Sequence, residues 1–376
     1  MAKVEERRSL LANWRYVLAT TNPPKGHVDP VSRWLVLTRA AVLPMTLTAA
    51  LIAGLLGVNE PGFKWWLFGL ATVGILLAHA ANNLMNDLFD LDVGTDSDTY
   101  PRALYAPHPV LSGMVTRKRL TAAALLVNAL DLVILAVLYV ERGWPVVAFA
   151  LGGFFISAAY TAPPLRLKKH GLGEPSVLVV WGPMLVGGVY YSAVGSIPWE
   201  IIAASIPYGL LCTAVLMGKH VDKIPWDEPA GTRTLPVMLG EARARRVTQG
   251  LMAGFYVVLV ALVIQGALPW PSLVAFGALP ALRAVWKAFD APKPAEPPPN
   301  WPIWPLWYAA YAFVHTRRAG LLFVVHPLHA ETADALPYGS DFHAVEGDSQ
   351  PSFRTAHPEP APVASAAKTD SGVPAA

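Results

Sequence analysis

Amide and carboxylate side chains crowd the stretch 82–96, directly after an apolar run. If a helix continues through this stretch, Asn83, Asp87 and Asp90 fall on one face, with Asn86 beside them. Carboxylates so close together repel one another, and they are costly to desolvate at the end of a membrane helix. Mg²⁺ relieves both costs and is commonly shared between carboxylates and substrate phosphates. Their spacing therefore predicts a magnesium and phosphate site, with Asp87 and Asp90 as catalytic metal ligands and Asp96 in the following loop.

A second group of chemically active side chains lies between residues 219 and 241. It contains the carboxylates of Asp222 and Asp227, which we predict as further metal ligands, Asp227 with a catalytic role. Two carboxylate groups that face each other can hold two cations around one diphosphate. The alternative is that these aspartates pair with neighbouring lysines, an arrangement that contributes little at a surface. His220 is a candidate base for an acceptor phenol, and the alternative is a structural polar contact.

The elements that must position these groups are membrane helices. The chain has 376 residues, of which 54% are hydrophobic and only 15% are charged, well below the usual charged fraction of soluble domains. Apolar stretches long enough to cross a bilayer recur along it. We predict an all-α membrane protein with about nine spans, at 34–57, 64–86, 119–140, 144–160, 174–194, 198–218, 246–267, 270–290 and 303–326. Arg317 and Arg318 interrupt the last of them.

Three segments lie outside this pattern. Residues 1–33 form a polar arm, residues 291–302 form a proline-rich linker, and residues 327–376 have the composition of a disordered tail. The single cysteine, Cys212, leaves no disulfide within the chain. No cleavable signal peptide is expected, because no apolar run begins before about Trp34.

Basic residues are concentrated in the three long connections after the second, fourth and sixth spans, whereas the short connections carry only Lys64 and Arg142. The positive-inside rule then places the three long loops and the N-terminus in the cytoplasm. We expect a bacterial inner or plasma membrane protein whose site faces the cytoplasm and whose partner is the lipid bilayer. No nucleic-acid partner is expected, since the basic residues lie in loops beside the membrane.

Acidic clusters, basic loops and a mostly apolar bundle together suit a ligand with a polyanionic head and a long apolar part. A polyprenyl diphosphate has both. Its C–O bond ionises to an allylic cation when Mg²⁺ neutralises the departing diphosphate. Aromatic faces stabilise such a cation, and the aromatic side chains considered for this role are Trp181, Tyr190, Tyr191 and Tyr208.

The motifs resemble those of the UbiA superfamily of intramembrane prenyltransferases, most nearly its 1,4-dihydroxy-2-naphthoate polyprenyltransferases. The pattern NxxNDxxDxxxGxD is met in full from Asn83 to Asp96. Residues 160–174 (YTAPPLRLKKHGLGE) resemble the YTxPP…GLGE loop, and Asp227 to Leu235 match DxxxGxRTL. The resemblance covers residues 34–326. It implies helices around a central cavity, a Mg²⁺-diphosphate site under a cytoplasmic cap, and transfer of a polyprenyl group to an aromatic acceptor.

For the diphosphate we predict contacts from amide, hydroxyl and basic side chains at the cytoplasmic ends of the spans. These residues are Asn83, Asn86, Arg102, Tyr160, Arg166, Lys168, Lys219, Lys223 and Arg233. Arginine and lysine suit this role as bidentate and point-charge phosphate ligands, respectively.

The sequence departs from the naphthoate pattern at one place. Where NNxRD is usual, this chain has Lys219, His220, Val221, Asp222 and Lys223. Either Asp222 takes the metal role, or the lysines bind phosphate directly. Other UbiA-type acceptors stay open, namely 4-hydroxybenzoate, a tetrapyrrole or haem, and a phosphosugar. A membrane cation transporter is a further alternative, although it would favour ionisable groups near the middle of the membrane.

Overall fold

The computed structural model describes residues 9–24, 26, 28–93, 108–299 and 301–325, without the side chains of Asp90, Asp92 and Val93. Within these ranges the regular structure is helical. In chain order the helices are α1 (Leu10–Thr20), α2 (Pro30–Leu37), α3 (Leu43–Gly57), α4 (Trp65–Val93), α5 (Arg117–Arg142), α6 (Trp144–Thr161), α7 (Gly173–Val194), α8 (Trp199–Asp227), α9 (Leu235–Leu239), α10 (Glu241–Ile264), α11 (Trp270–Asp290) and α12 (Tyr308–Val325).

Eight of the described helical segments are long and apolar enough to cross a membrane. They are the segment Ala40–Gly57, which includes α3, and the helices α4, α5, α6, α7, α8, α10 and α11. The chain is a multi-pass integral membrane protein with an all-helical fold. The predicted count of nine spans is not confirmed, because α12 falls outside this set.

Two of the predicted helix boundaries that were wrong affect the site. The first span is not continuous from residue 34, because α2 ends at Leu37 and the backbone turns at Arg39, which has a positive φ of 51°. The sixth span does not stop at residue 218. Instead α8 continues through Pro225 to Asp227, so the stretch predicted as a loop after residue 218 begins with more than two helical turns.

The long helix α8 lies at the centre of the bundle, where it packs against α7, α10 and α12. Gly218 allows the close approach of α12, because a Cβ atom there would lie 2.9 Å from the carbonyl carbon of Tyr308. On the other side of the bundle, α4 packs against α3, α5 and α7. The carboxyl ends of α4, α6 and α8 and the amino ends of α5, α10 and α12 therefore lie at the same end of the bundle, here called the mouth end.

Candidate active site

A cavity of about 1220 Å³ opens at the mouth end and extends into the bundle. It exceeds the usual size of pockets for drug-sized ligands. Polar side chains line the mouth, and aliphatic and aromatic side chains from α4, α5, α6 and α7 line the deeper part. Of the aromatic residues predicted to face a cation, Trp181 lines the cavity, whereas Tyr190 and Tyr208 are buried in the helical core. Tyr191 packs on Phe149 instead.

At the mouth, α4 is helical through Val93, as the spacing of the polar residues predicted. Asp87 is fully buried and forms an ion pair with Arg39. The turn after α2 aims the Arg39 side chain across the bundle at α4. Asn83, one turn before Asp87, donates a hydrogen bond to the Thr38 carbonyl oxygen at 3.0 Å. The imidazole of His108 contacts the Asp87 carbonyl oxygen at 2.9 Å, so α4 is held from two sides at this point.

A second contact joins α4 to α6. The hydroxyl of Thr161 donates to the Asn86 side-chain oxygen at 3.1 Å, and the hydroxyl of Ser157 donates to Asn82 at 2.6 Å. Tyr160, between them on α6, lines the cavity together with both asparagines. The structure therefore brings the amides of the first motif and the tyrosine of the second motif to one wall.

The extended part of α8 forms the opposite wall. Lys219, His220 and Lys223 all line the cavity because positions i, i+1 and i+4 share one side of a helix. The ammonium of Lys223 lies 3.4 Å from a carboxylate oxygen of Asp227, one turn further on. His220 is buried, and its Nδ1 lies 2.6 Å from the carboxylate of Glu174. A histidine held in this way presents its other ring nitrogen in a fixed orientation.

Asp222 points away from this wall. Its two carboxylate oxygens accept the backbone N–H groups of Tyr308 and Ala309 at 3.1 and 2.9 Å, which caps the first turn of α12. Lys293 lies 3.8 Å from the same carboxylate. Burial lowers the pKa of the Lys293 ammonium, and the Asp222 carboxylate opposes that shift. The carboxylate that the sequence predicts as a metal ligand is therefore engaged by α12 and Lys293, and Asp222 is not among the residues that line the cavity.

We expect Asp222→Ala to lower the free energy of unfolding by roughly 2 kcal/mol or more, because two buried backbone donors and Lys293 lose their acceptor. Thermal unfolding in detergent, followed by tryptophan fluorescence, measures the change. Glu228→Gln, at an exposed carboxylate in the following turn, is the control and should leave the midpoint unchanged. If Asp222→Asn is as stable as the wild type and its activity depends differently on Mg²⁺, Asp222 is a metal ligand after all.

The other predicted residues divide into three groups. Lys168 lines the cavity. Arg166 and Arg233 do not line it, and the backbone beside Arg233 pairs with His170 in a short bridge that joins the loop after α6 to the loop after α8. Asp96 and Arg102 lie outside the described residues, and so does the side chain of Asp90.

Sequence reasoning missed two members of the site, Arg39 and Glu174. The signal for Arg39 was a single basic residue within an apolar segment, where an unpaired charge is costly. Glu174 is the last residue of the GLGE motif, but its role was not apparent because its partner His220 lies 46 residues further along the chain.

The residues at the mouth fit a hydrated Mg²⁺ shared with a diphosphate. No group of three or more acidic, histidine or cysteine side chains that could hold a metal ion occurs among the described residues. Mg²⁺ usually needs only one or two carboxylates, because waters and substrate phosphates complete its octahedron. Asp87, with Asn83 and Asn86 beside it, would offer oxygen ligands of this kind, and the lysines on α8 would offer positive charge to the remaining phosphate oxygens.

Comparison with known proteins shows which family has this fold and these motifs. Residues 43–299 match the model of the UbiA prenyltransferase family. The chain belongs to that family. Its fold and its class of reaction, prenyl transfer, follow from this membership, as the motifs around Asp87 and Asp227 predicted.

Two relatives and one solved structure show how close the likeness is. The chain is 31% identical to a 1,4-dihydroxy-2-naphthoate octaprenyltransferase of Mycobacterium tuberculosis, over 64% of this chain and 82% of the relative. It is 27% identical to a 2-carboxy-1,4-naphthoquinone phytyltransferase of Synechocystis, over 67% and 80%. The fold matches a UbiA homolog from Archaeoglobus fulgidus bound to GPP and Mg²⁺, with a TM-score of 0.52, 17% identity, and coverage of 78% of this chain and all of the other.

Proposed function

We propose that this prenyltransferase moves a polyprenyl group from a polyprenyl diphosphate to an aromatic acceptor, with Mg²⁺ as the cofactor. A naphthoate such as 1,4-dihydroxy-2-naphthoate, an intermediate of menaquinone synthesis, is the acceptor that we favour. The observation that carries the proposal is a cavity with a polar, cation-rich mouth and a long apolar interior. Naphthoate prenyltransferases among the relatives, and a structural neighbour with GPP and Mg²⁺ bound, support it.

The head of the donor would lie at the mouth. Asp87 and Asp90 would hold the metal ion, with Asp96 as a further ligand in the predicted set. Lys168, Lys219 and Lys223 would contact the diphosphate oxygens that the metal leaves free. Asp227, buried beside Lys223, remains in the proposed set, and its contact at 3.4 Å fixes the position of that ammonium.

The ion pair between Arg39 and Asp87 bears on how the donor is recognised. A carboxylate that binds Mg²⁺ shares its negative charge with the metal, which leaves Arg39 available for a second anion. Since Arg39 lines the cavity beside Asn83, the diphosphate is the anion within its reach. We propose that donor binding exchanges the Arg39–Asp87 pair for contacts between Arg39 and the donor.

The reaction breaks the allylic C–O bond of the donor and leaves the electron pair on the diphosphate. The bound cofactor supplies Lewis-acid stabilisation of that leaving group. A ring carbon of the acceptor then forms a C–C bond to the allylic carbon, and the ring loses the substituent that it displaced, such as a proton. The apolar walls of the cavity exclude water that would otherwise capture the cation. His220, oriented by Glu174, is the proposed base at the mouth.

The site would face the cytoplasm of a bacterial inner or plasma membrane. The basic loops at the mouth end support this orientation through the positive-inside rule. Polyprenyl diphosphates carry their charged head at the membrane surface, where an opening at the mouth end would receive it.

The test is an assay on purified protein in detergent or lipid nanodiscs. Labelled geranylgeranyl diphosphate, Mg²⁺ and a panel of acceptors are incubated with the protein, and labelled product is separated from diphosphate. We expect product with an aromatic acceptor, and none after chelation by EDTA. Failure to release diphosphate under any of these conditions would overturn the proposal.

A further inference from the structure

The deep part of the cavity is lined by polar side chains that the diphosphate site does not use. Four helices contribute one residue each: Thr46 from α3, His79 from α4, Asp131 from α5 and Trp181 from α7. We call these four residues the polar girdle. His79 lies eight residues before Asp87 on α4, which places it about 12 Å below that carboxylate along the helix.

The histidine of the girdle is held in a fixed orientation. Its Nδ1 lies 2.7 Å from the hydroxyl of Thr46, and the ring of Trp181 packs edge to face against it at 5.3 Å. Because one ring nitrogen is bound to Thr46, the other, Nε2, is the atom left for a ligand. Nε2 has no hydrogen-bond partner among the described residues, and the side chain lines the cavity.

Asp131 is the most unusual member of the girdle. It stands near the middle of α5, a helix that is otherwise apolar between Ala122 and Val140 apart from Asn128. The structure shows no ion pair or side-chain hydrogen bond for it in the described part of the chain. A Cβ atom at Gly74 on α4 would lie 3.4 Å from an Asp131 carboxylate oxygen, so α4 leaves space for this carboxylate. An ionisable side chain at this depth is costly unless a ligand or partner uses it.

The chemistry of the girdle excludes the prenyl tail as its ligand. A polyprenyl chain is a hydrocarbon and offers no hydrogen-bonding group to a carboxylate or an imidazole. An aromatic acceptor with hydroxyl groups offers O–H donors for Asp131 and oxygen acceptors or donors for His79 Nε2. A mainly apolar pocket with a few well-placed polar groups is how proteins orient such ligands.

We propose that the polar girdle is the binding site for the hydroxylated ring of the acceptor, with Asp131 and His79 as the residues that contact it. This inference rests on the proposed function and adds the position and chemical class of the acceptor site. With the diphosphate at Asp87 and the ring hydroxyl at the girdle, the ring carbon that reacts lies between them, beside the allylic carbon. Thr46 and Trp181 act as positioning residues through His79.

The experiment pairs a change in the protein with a change in the acceptor. Two probes are used, 1,4-dihydroxy-2-naphthoate and 4-hydroxybenzoate, each beside its 4-O-methyl ether. We expect wild-type protein to prefer the hydroxylated form by about 10- to 100-fold in kcat/KM, and Asp131→Leu to remove that preference. His79→Phe should weaken it similarly, His79→Gln should retain part of it, and Thr46→Val should raise the KM for the acceptor alone.

Leu135, one turn after Asp131 and also on the cavity wall, provides the matched control. Leu135→Ala changes the shape of the cavity without removing a polar group, so it should affect hydroxylated and methylated acceptors equally. Val133→Ala, on the exposed face of α5, should have no effect. The KM for geranylgeranyl diphosphate and the acceptor-free release of diphosphate should stay unchanged in all the girdle variants.

The outcomes separate this inference from the proposed function. If wild-type protein releases no diphosphate from the donor, the proposed function fails. If it releases diphosphate, the girdle proposal is overturned by any of three results: no probe is prenylated, Asp131→Leu keeps the wild-type preference for the hydroxyl, or Asp131→Leu changes the KM for the donor instead of that for the acceptor.

Discussion

Replacing Asp87 with asparagine should lower kcat/KM for prenyl transfer by about 10³-fold, because it removes a charged ligand at the point where the diphosphate leaves. The same loss is predicted for Asp90→Asn. Initial rates measured with labelled donor across a Mg²⁺ titration check the prediction. Wild-type turnover in both variants would contradict the assignment of these carboxylates.

The sequence and the structure predict opposite effects of Asp87→Asn on the free energy of unfolding. Repulsion among neighbouring carboxylates predicts that the variant is as stable as the wild type or more so. The ion pair with Arg39 reverses this sign, because the substitution leaves a mostly buried guanidinium without its carboxylate partner. We expect a loss of roughly 1–3 kcal/mol, reduced from the cost at a fully buried pair because Arg39 is partly exposed.

A double substitution provides the control. Arg39→Gln combined with Asp87→Asn replaces the charged pair with two neutral amides, so it should recover most of the stability that Asp87→Asn loses. It should not recover activity. A double variant that is less stable than Asp87→Asn alone would show that Arg39 has another partner.

Replacing Lys223 with alanine should raise the KM for prenyl diphosphate by about tenfold or more while changing kcat less. Lys223 lines the cavity on α8, and its ammonium would reach phosphate directly as a point charge. Lys223→Asp should partly restore binding, but only at higher Mg²⁺, because a carboxylate reaches phosphate through a cation. Steady-state kinetics at several Mg²⁺ concentrations measure both effects.

Removal of Lys223 also takes away the ammonium that pairs with the buried Asp227 carboxylate, which lowers stability. Lys223→Ala combined with Asp227→Asn removes that cost and should recover stability, but it also removes a proposed metal ligand and should lower kcat. Arg243→Ala, at an exposed position of α10 near the mouth end, serves as the charge control and should change the KM little. An unchanged KM in Lys223→Ala would indicate that the lysine serves only to neutralise Asp227.

Local sequence patterns were sufficient to predict many of the helices and residues that form the candidate site. The helix through Asn83 and Asp87 follows from a continuous apolar run and from polar residues spaced at i, i+3 and i+4, which are properties of one segment. Most of the membrane spans follow from their length and hydropathy, because each must satisfy its backbone hydrogen bonds internally in the bilayer. The proline-rich linker and the family motifs were also readable without a structure.

Other features depend on contacts between distant segments, and the sequence could not decide them. The hydropathy pattern ended the sixth span at residue 218, but α8 packs against α12 and its neighbours and continues to Asp227. Whether Asp222 or Lys223 faces the cavity depends on which side of α8 meets the amino end of α12, 86 residues away. The Arg39–Asp87 and Glu174–His220 pairs, and the polar girdle, likewise join different helices. Charge and hydrogen-bonding capacity are properties of the residue, but its partner is determined by how the helices pack.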